Sequence, residues 1–427
     1  MDKKGNSFNL IEDYLKSMNT LVLSTCRDGI PRATPLVYKY SNGRILIVSE
    51  DGKKFENINS NRKVSLAIAD KFEKFGSTHG LQADGTVNIV TREHSNFYSL
   101  ADEYGLTKKM IDANGLYNFL KVMEITISSA TYMDSTKGLG YRILWEKNPG
   151  ENCAEAITHE LVHTDGIAVE RYYPENITRP SPILFIHGAF HGSWLYHHFQ
   201  DYFARHGFDT YALNWKGHYL SKPDPDLGKR SIIDAVEDAE KVVKQVIKKT
   251  PILVGHSMGV LISLKFAERN DAKLAVLLDG APYRKIYLDA ELDKVLTKEG
   301  IERNFNITED YRFILPRKNA AQSFFDAELT GADEMSRYLT LVQEESGKIL
   351  IDVFTGKIEV NSEIIKIPLY VLGKAFSPTG HRLNEMKAKD LGAKDCRVFE
   401  KMSHDMMLQK DWRDYADIIL EWIDRKK

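Results

Sequence analysis

The segment that most restricts the fold is Gly255-His-Ser-Met-Gly259, set between the apolar run Pro251–Val254 and the helical run Val260–Ala267. Strand, sharp turn and helix in that order thrust the Ser257 hydroxyl above the end of a strand. Glycine flanks the serine because a Cβ there would collide with neighbouring backbone. Such a turn needs a sheet with helices packed on it. The C-terminal half supplies one: apolar stretches Pro182–Ile186, Thr210–Leu213, Leu274–Leu278, Pro368–Leu372 and Arg397–Phe399 alternate with helical patterns. That alternation marks a doubly wound parallel sheet of α/β class. Ser231 and Asp234 form a capping box ahead of the stripe Ile233/Val236/Ala239/Val242/Val246, a core-facing helix. Between Pro282 and Ile367 amphipathic segments such as Ala320–Leu329 and Asp333–Glu345 interrupt the pattern. A helical cap over about residues 283–366 is expected there, above the strand ends where open α/β sheets bind ligands.

The first half has a different period. Short β-rich runs dominate: Leu21–Thr25, Pro35–Tyr40, Arg44–Ser49, Val64–Ala69, Leu81–Thr91 and Leu120–Tyr132. Arg27-Asp-Gly29 and Ser41-Asn-Gly43 read as tight hairpin turns. A small β-rich barrel flanked by helices follows. The polar stretch Glu146-Lys-Asn-Pro-Gly-Glu-Asn152 breaks regular structure. The expected division is a barrel over 1–146, a linker and first hairpin strand over 147–164, and the α/β domain over 165–427.

A chain of 427 residues can build two such domains, each with its own core. Its 58 Lys and Arg nearly balance 60 Asp and Glu, so no summed field recruits nucleic acid or an anionic membrane. A small-molecule substrate is the expected partner. Met1–Asn19 lacks an apolar signal core and no stretch approaches a membrane span, which points to the cytoplasm. Cys26, Cys153 and Cys396 lie far apart without CxxC spacing and read as reduced thiols. His159-Glu-Leu-Val-His163 spells a zinc motif that works only on a helix. Asp165-Gly166 follows at once, then Ile167–Tyr173, so the segment reads as a hairpin strand. Residues four apart in a strand are about 13 Å from each other, too far to share an ion. No metal is expected.

A serine hydroxyl needs a base to take its proton. His404 is placed for that, in the loop Lys401–Asp405 between the last strand and the closing helix Asp411–Asp424. Acyl transfer also needs donors for a developing oxyanion. The backbone N–H of Met258 and one from Ala189 or Phe190, in the loop His187–Phe190, are the candidates. His187 reads as shaping that loop, and His191, His197 and His198 as surface residues. The stretches HGAFHGSW, GHSMG and SHDMML, in that order, resemble the α/β-hydrolase superfamily, particularly its esterase and hydroxynitrile-lyase-like branch, over about Asp165 to Lys427. The resemblance implies a Ser-His-acid triad, a cap insertion, hydrolysis of esters or related bonds, and no cofactor. It also implies a carboxylate after the sixth core strand, where Gly373-Lys-Ala-Phe-Ser-Pro378 puts Ser377 instead. Two readings follow. Either the acid is Asp279, at the end of Leu274–Leu278, where a buried carboxylate would need the His404 imidazolium as partner, or the pair is a Ser–His dyad. Asp405 adjoins the base but is expected to point elsewhere.

In the first half, Leu23–Tyr38, Gly43–Ser49, Lys53-Lys54, Asn57–Asn59, Asn61–Val64 and Gly140–Trp145 are similar to the pyridoxamine-phosphate-oxidase-like split barrel, over about residues 8–146. The resemblance implies a homodimer holding FMN, or another flavin-like cofactor or haem, at the subunit interface. Arg32, Ser49, Lys53 and Lys54 match its phosphate-binding stretch, and Gln82 lies on a strand that often reaches the flavin ring. Converging Arg, Lys and hydroxyl donors suit a phosphate. A barrel that has lost its cofactor and only dimerises the chain is the alternative. Three functions stay open: a serine hydrolase for a small ester or thioester, an FMN-dependent oxidoreductase working in the first domain, and a non-catalytic binding protein.

Overall fold

The computed structural model describes residues 7–113, 119–138, 140–147 and 156–425. Its contacts divide the chain into two units, Met1–Glu160 and Leu161–Lys427. The proposed boundary stretch from Asn148 onward, and Cys153, lie outside the described residues.

The first unit is β-rich and antiparallel. Its strands are β1 (Thr20–Arg27), β2 (Ile30–Val37), β3 (Lys39–Ser41), β4 (Arg44–Glu50), β5 (Lys63–Ala69), β6 (His79–Val90), β7 (Leu120–Asp134) and β8 (Arg142–Glu146). They pair in the order β8-β7-β6-β5-β1-β2, with β4 also on β7 and β3 on β4. Strict alternation makes one face the core: β5 runs exposed, buried, exposed from Lys63 to Ala69. Leu23, Ile45, Ile47, Leu66, Ile68, Met123 and Ile125 fill that core beneath Ile11 and Leu15 of the helix Ser7–Ser17. Both residues of each Asx-Gly turn are left-handed, with φ +53° and +75° at Asp28-Gly29 and +49° and +77° at Asn42-Gly43. That geometry matches the twist of the flanking strands. The strand expected over Pro35–Tyr40 is instead two. The chain leaves β1 at Val37 and joins β4 at Lys39, and between them the buried Tyr38 donates its hydroxyl to Leu15 O at 2.8 Å.

The hairpin strands β9 (Ile157–Thr164), whose residues from Leu161 onward open the second unit, and β10 (Ile167–Pro174) meet at Asp165-Gly166, again left-handed at φ +48° and +83°. His159 and His163 therefore sit on a strand, not a helix. The remaining core strands are β11 (Ile183–Ile186), β12 (Thr210–Asn214), β13 (Ile252–His256) and β14 (Ala275–Leu278). After the cap strands β15 (Asn306–Ile307), β16 (Arg312–Ile314) and β17 (Glu345–Ser346) come β18 (Leu369–Lys374) and β19 (Asp395–Phe399). The order β19-β18-β14-β13-β11-β12-β10 is parallel except at β10. Strands β11, β13 and β14 are buried throughout because helices cover both faces. Phe185, Val254 and Leu278 point to one core with Phe199, Phe203 and Trp422. Leu184, Leu253 and Leu277 point to the other with Val236, Leu261 and Leu264. The Ser231–Asp234 capping box is present at the start of the helix Ile232–Val242.

The cap connects β14 to β18. Its first expected helix is broken into Arg317–Phe324 and the single turn Ala327–Thr330, because Asp326 accepts from Glu328 N and Leu329 N and starts a new turn. Its second stops at Tyr338, and Glu345 lies in β17 with a fully buried side chain. Among the described residues no helix is long and apolar enough to cross a membrane.

Candidate active site

Four residues stand out as partly exposed between buried neighbours: Ala189, Ser257, Asp279 and His404. Each follows a strand or lies in a loop at the same end of the sheet. Ser257, directly after β13, has φ +53° and ψ −118°, a conformation costing a non-glycine residue about 1–3 kcal/mol. Ser257 N donates to Leu278 O at 2.9 Å and Ala281 N to Ser257 O at 3.1 Å, which holds it there. Space is as tight as conformation. A Cβ on Gly259 would lie 2.1 Å from Ile186 O, and one on Gly188 would lie 2.7 Å from Ser257 Cβ. Those glycines let the loop after β11 and the N-terminus of helix Met258–Arg269 close around the serine, and that helix end presents its positive pole.

His404 Nδ1 donates to Asp279 Oδ2 at 2.6 Å, so the neutral ring keeps Nε2 free to accept a proton. Asp279 Oδ1 accepts from Asn384 Nδ2 at 2.8 Å and from Lys374 N at 3.0 Å. Burial alone would raise this carboxyl's pKa, but the bond to His404 and its charge, then Asn384 and the Lys374 N–H, outweigh it. The carboxyl is held well below the usual range. Gly373 is required behind it, since a Cβ there would meet Asn384 Nδ2 at 2.3 Å. Lys387, on the same helix Leu383–Asp390 as Asn384, is buried and donates to Gly280 O. Burial pushes its pKa down to about 8, against the pull of Asp279. His256 Nε2 donates to His404 O at 2.9 Å and ties the base loop to the serine turn. Burial, then the nearby His404, pushes the His256 pKa down to about 3, so it is neutral.

Among the described residues no hydrogen bond ends on Ser257 Oγ. Catalytic hydrogen bonds are commonly long without substrate and tighten on binding. Ser377 sits in a turn, its hydroxyl 2.9 Å from Thr379 Oγ1 and accepting from His381 N at 3.1 Å. Asp405 does not bond the base; its Oδ2 accepts from His191 Nε2 at 2.9 Å.

Two expectations need correction. The Phe190 N–H donates to Glu345 Oε2 at 3.2 Å, so a buried carboxylate takes it, and Ala189 and Met258 remain as the candidate oxyanion donors. His191 is not on the surface. It is 1% exposed, because Asp405 offers a buried counter-charge at 2.9 Å. Glu345 and His218, 3.1 Å apart and both fully buried, were not anticipated at all.

In the first unit, Arg32 and Lys121 lie close enough to Lys54 to add to the effect of burial in lowering its pKa. Lys54 donates to Glu50 O at 2.9 Å, and Lys53 opens the same helix Lys53–Ser60. Ser49 pairs in register with Lys121. Glu50 and Asp51 also lie near Lys54 and oppose that lowering. Gln82 does not join Arg32, Lys53 and Lys54. It lines a cleft of about 350 Å³ with Ser24, Ser65 and Thr131. Arg32 pairs with Thr25, the residue after Ser24, and so faces the opposite side of the sheet.

Residues 181–294 match the family model of the alpha/beta hydrolase fold, and residues 9–122 that of pyridoxamine 5'-phosphate oxidase. No curated protein matches the chain. Similar solved structures include a lipase-esterase related protein from Clostridium acetobutylicum, at 18% identity over 62% of this chain and 98% of that one, with TM-score 0.45. Polyneuridine aldehyde esterase is similar at 14% identity over 58% of this chain and 100% of that one, with TM-score 0.48. A FAD-binding protein from Mesorhizobium loti is similar at 19% identity over 30% of this chain and 93% of that one, with TM-score 0.25.

Proposed function

We propose that this chain, which joins an N-terminal pyridoxamine 5'-phosphate oxidase-like domain to an α/β-hydrolase domain, is a serine hydrolase cleaving a small carboxylic ester or thioester. The observation that carries the reading is the 2.6 Å bond from His404 Nδ1 to Asp279, a base oriented by a carboxylate in the loop tied to the strained Ser257 turn. His404 Nε2 takes the Ser257 proton as Oγ attacks the carbonyl carbon. Asp279, ionised at any working pH, stabilises the imidazolium. The N–H groups of Met258 and Ala189 receive the oxyanion. His404 then hands its proton to the departing alkoxide or thiolate, and water repeats the sequence on the acyl-enzyme. Replacing either Ser257 or His404 by alanine is expected to lower kcat by about 10⁴–10⁶. A fluorophosphonate should label the wild type at Ser257 and not Ser257→Ala. Ordinary ester turnover by either variant overturns the reading, and a wild type that neither turns over nor labels leaves a binding protein.

The nearness of Arg32 to Lys54, with the match of Arg32, Ser49, Lys53 and Lys54 to the resembling family's phosphate-binding stretch, supports FMN held by its phosphate in the N-terminal domain, with Gln82 reaching the ring only across the interface of a homodimer. Purified protein should then be yellow and dimeric by sedimentation equilibrium. A colourless monomer that does not take up added FMN removes both the cofactor and the oxidoreductase reading.

A further inference from the structure

We propose that His191, Asp405 and Glu345 are positioning residues that clamp the peptide between Ala189 and Phe190 and so, with His187 on the peptide before it, keep the Ala189 N–H aimed at the oxyanion. This rests on the hydrolase reading above. The clamp grips both ends of one planar unit: His191 Nδ1 donates to Ala189 O at 2.5 Å, and Phe190 N donates to Glu345 Oε2 at 3.2 Å. Phe190 has φ +68°, so the loop is held against its own preference. The preceding peptide is fixed as well, by His187 Nδ1 donating to Gly188 O at 2.8 Å. Because C=O and N–H point opposite ways across a planar trans peptide, holding Gly188 O sets the direction of Ala189 N–H. Among the described residues nothing accepts from that N–H.

The arms of the clamp are anchored in the base loop and the cap. His191 Nε2 donates to Asp405 Oδ2 at 2.9 Å, and Asp405 adjoins His404. From the cap, Glu345 Oε2 also accepts from His218 Nε2 at 3.1 Å, while Gln343 N donates to Phe190 O at 3.1 Å and Gln343 Nε2 to His191 O at 3.0 Å. The segment Gln343–Glu345 thus grips the oxyanion loop three times. His191 donates from both nitrogens to groups that only accept, which makes it an imidazolium. Burial opposes that charge, but Asp405, the Ala189 carbonyl and Glu345 outweigh it and raise the pKa. The groups facing the ring are Asp405 and Glu345 on one side of the balance and the neutral His187 and His256 on the other.

The test compares His191→Gln, Asp405→Asn and Glu345→Gln with the wild type in ester hydrolysis and in binding of an aryl boronate, which forms a tetrahedral adduct on the serine. A misaimed donor should lower kcat and boronate affinity together by about tenfold to hundredfold, with KM nearly unchanged. A merely structural role would not couple those two readouts while sparing KM. Independently, imidazole ¹⁵N NMR of the wild type at neutral pH should show His191 protonated on both nitrogens, and Asp405→Asn should lose that state. A singly protonated His191 in the wild type overturns the clamp even where the variants fail to fold. Wild-type kcat and boronate affinity in folded His191→Gln and Asp405→Asn overturn it too, with the hydrolase reading intact so long as Ser257→Ala is dead. Turnover by Ser257→Ala sinks the hydrolase reading instead.

Discussion

Asp279→Asn tests the catalytic reading most sharply, because the geometry decides which way the new amide points. Asp279 Oδ1 accepts from two donors, Asn384 Nδ2 and Lys374 N, whereas Oδ2 faces one, His404 Nδ1. An asparagine has a single acceptor oxygen. Placing it at the Oδ1 site keeps both donors satisfied; the flipped amide would oppose its NH₂ to two N–H donors, each left unsatisfied at about 1–3 kcal/mol. The amide NH₂ must therefore face His404 Nδ1. That nitrogen then has to accept, so the ring proton moves to Nε2, the position that should take the Ser257 proton. The expected loss is about 10⁴ in kcat near neutral pH, or about 5.5 kcal/mol in the barrier, with KM nearly unchanged. Fluorophosphonate labelling should slow by a similar factor, and circular dichroism should match the wild type because shape and volume are conserved. Asp279→Ala, which leaves the ring free to choose its tautomer, should lose less than Asp279→Asn. If Asp279→Asn keeps most of the wild-type rate while Ser257→Ala loses it, the triad is wrong and a Ser–His dyad takes its place.

The low pKa of Asp279 also gives stability that is complete above its unfolded pKa of about 4 and is lost as pH falls below it toward the folded value. Urea midpoints should accordingly fall with acid more steeply for the wild type than for Asp279→Asn, and parallel slopes would contradict the assignment. Lys387 has the same sign of slope in an alkaline window: its folded pKa of about 8 lies below the usual value of about 10.4, so the unfolded chain binds the extra proton between them and stability rises with pH there. Wild-type stability should gain over that window relative to Lys387→Met, and equal pH slopes would refute it. Gly259→Ala, with its Cβ 2.1 Å from Ile186 O, should cost about 1–3 kcal/mol or more and lower Tm, and an unchanged Tm would mean the turn is not packed as described.

The residues legible in the sequence are those whose signal is local. β11, β13 and β14 are buried on both faces, so continuous apolar runs mark them, and Ser257, Asp279 and His404 then fall in place as residues at their ends or in the loop after the last strand. The Asx-Gly turns are legible for the same reason, their left-handed backbone being a property of two adjacent residues. Glu345 is not. The spacing over Asp333–Glu345 suits a helix, and what removes Glu345 from it is a contact with Phe190, 155 residues away, and His218, 127 residues away. No window of sequence contains that competition.

His191 and Asp405 escaped for a related reason. Either side chain alone is costly to bury, so a reading that takes residues singly assigns His191 to the surface and gives Asp405 no partner. Only as a pair do they tolerate the interior, and the pair spans 214 residues. Besides Glu345–His218, the described residues of the domain thus place two carboxylate–imidazole pairs of similar geometry in different settings. In Asp279–His404 the side chains are 11% and 20% exposed; in Asp405–His191 they are 0% and 1%. A base has to meet substrate, so its ring must keep one nitrogen open to the site. A ring whose two nitrogens are both spent on buried acceptors cannot move a proton to substrate, but it can hold a strained peptide in one orientation. On the proposed reading, exposure separates the pair that carries the proton from the pair that holds the oxyanion donor. It also explains why Asp405, one residue from the base, is not its acid: the carboxylate is committed to the loop on the other side of the serine.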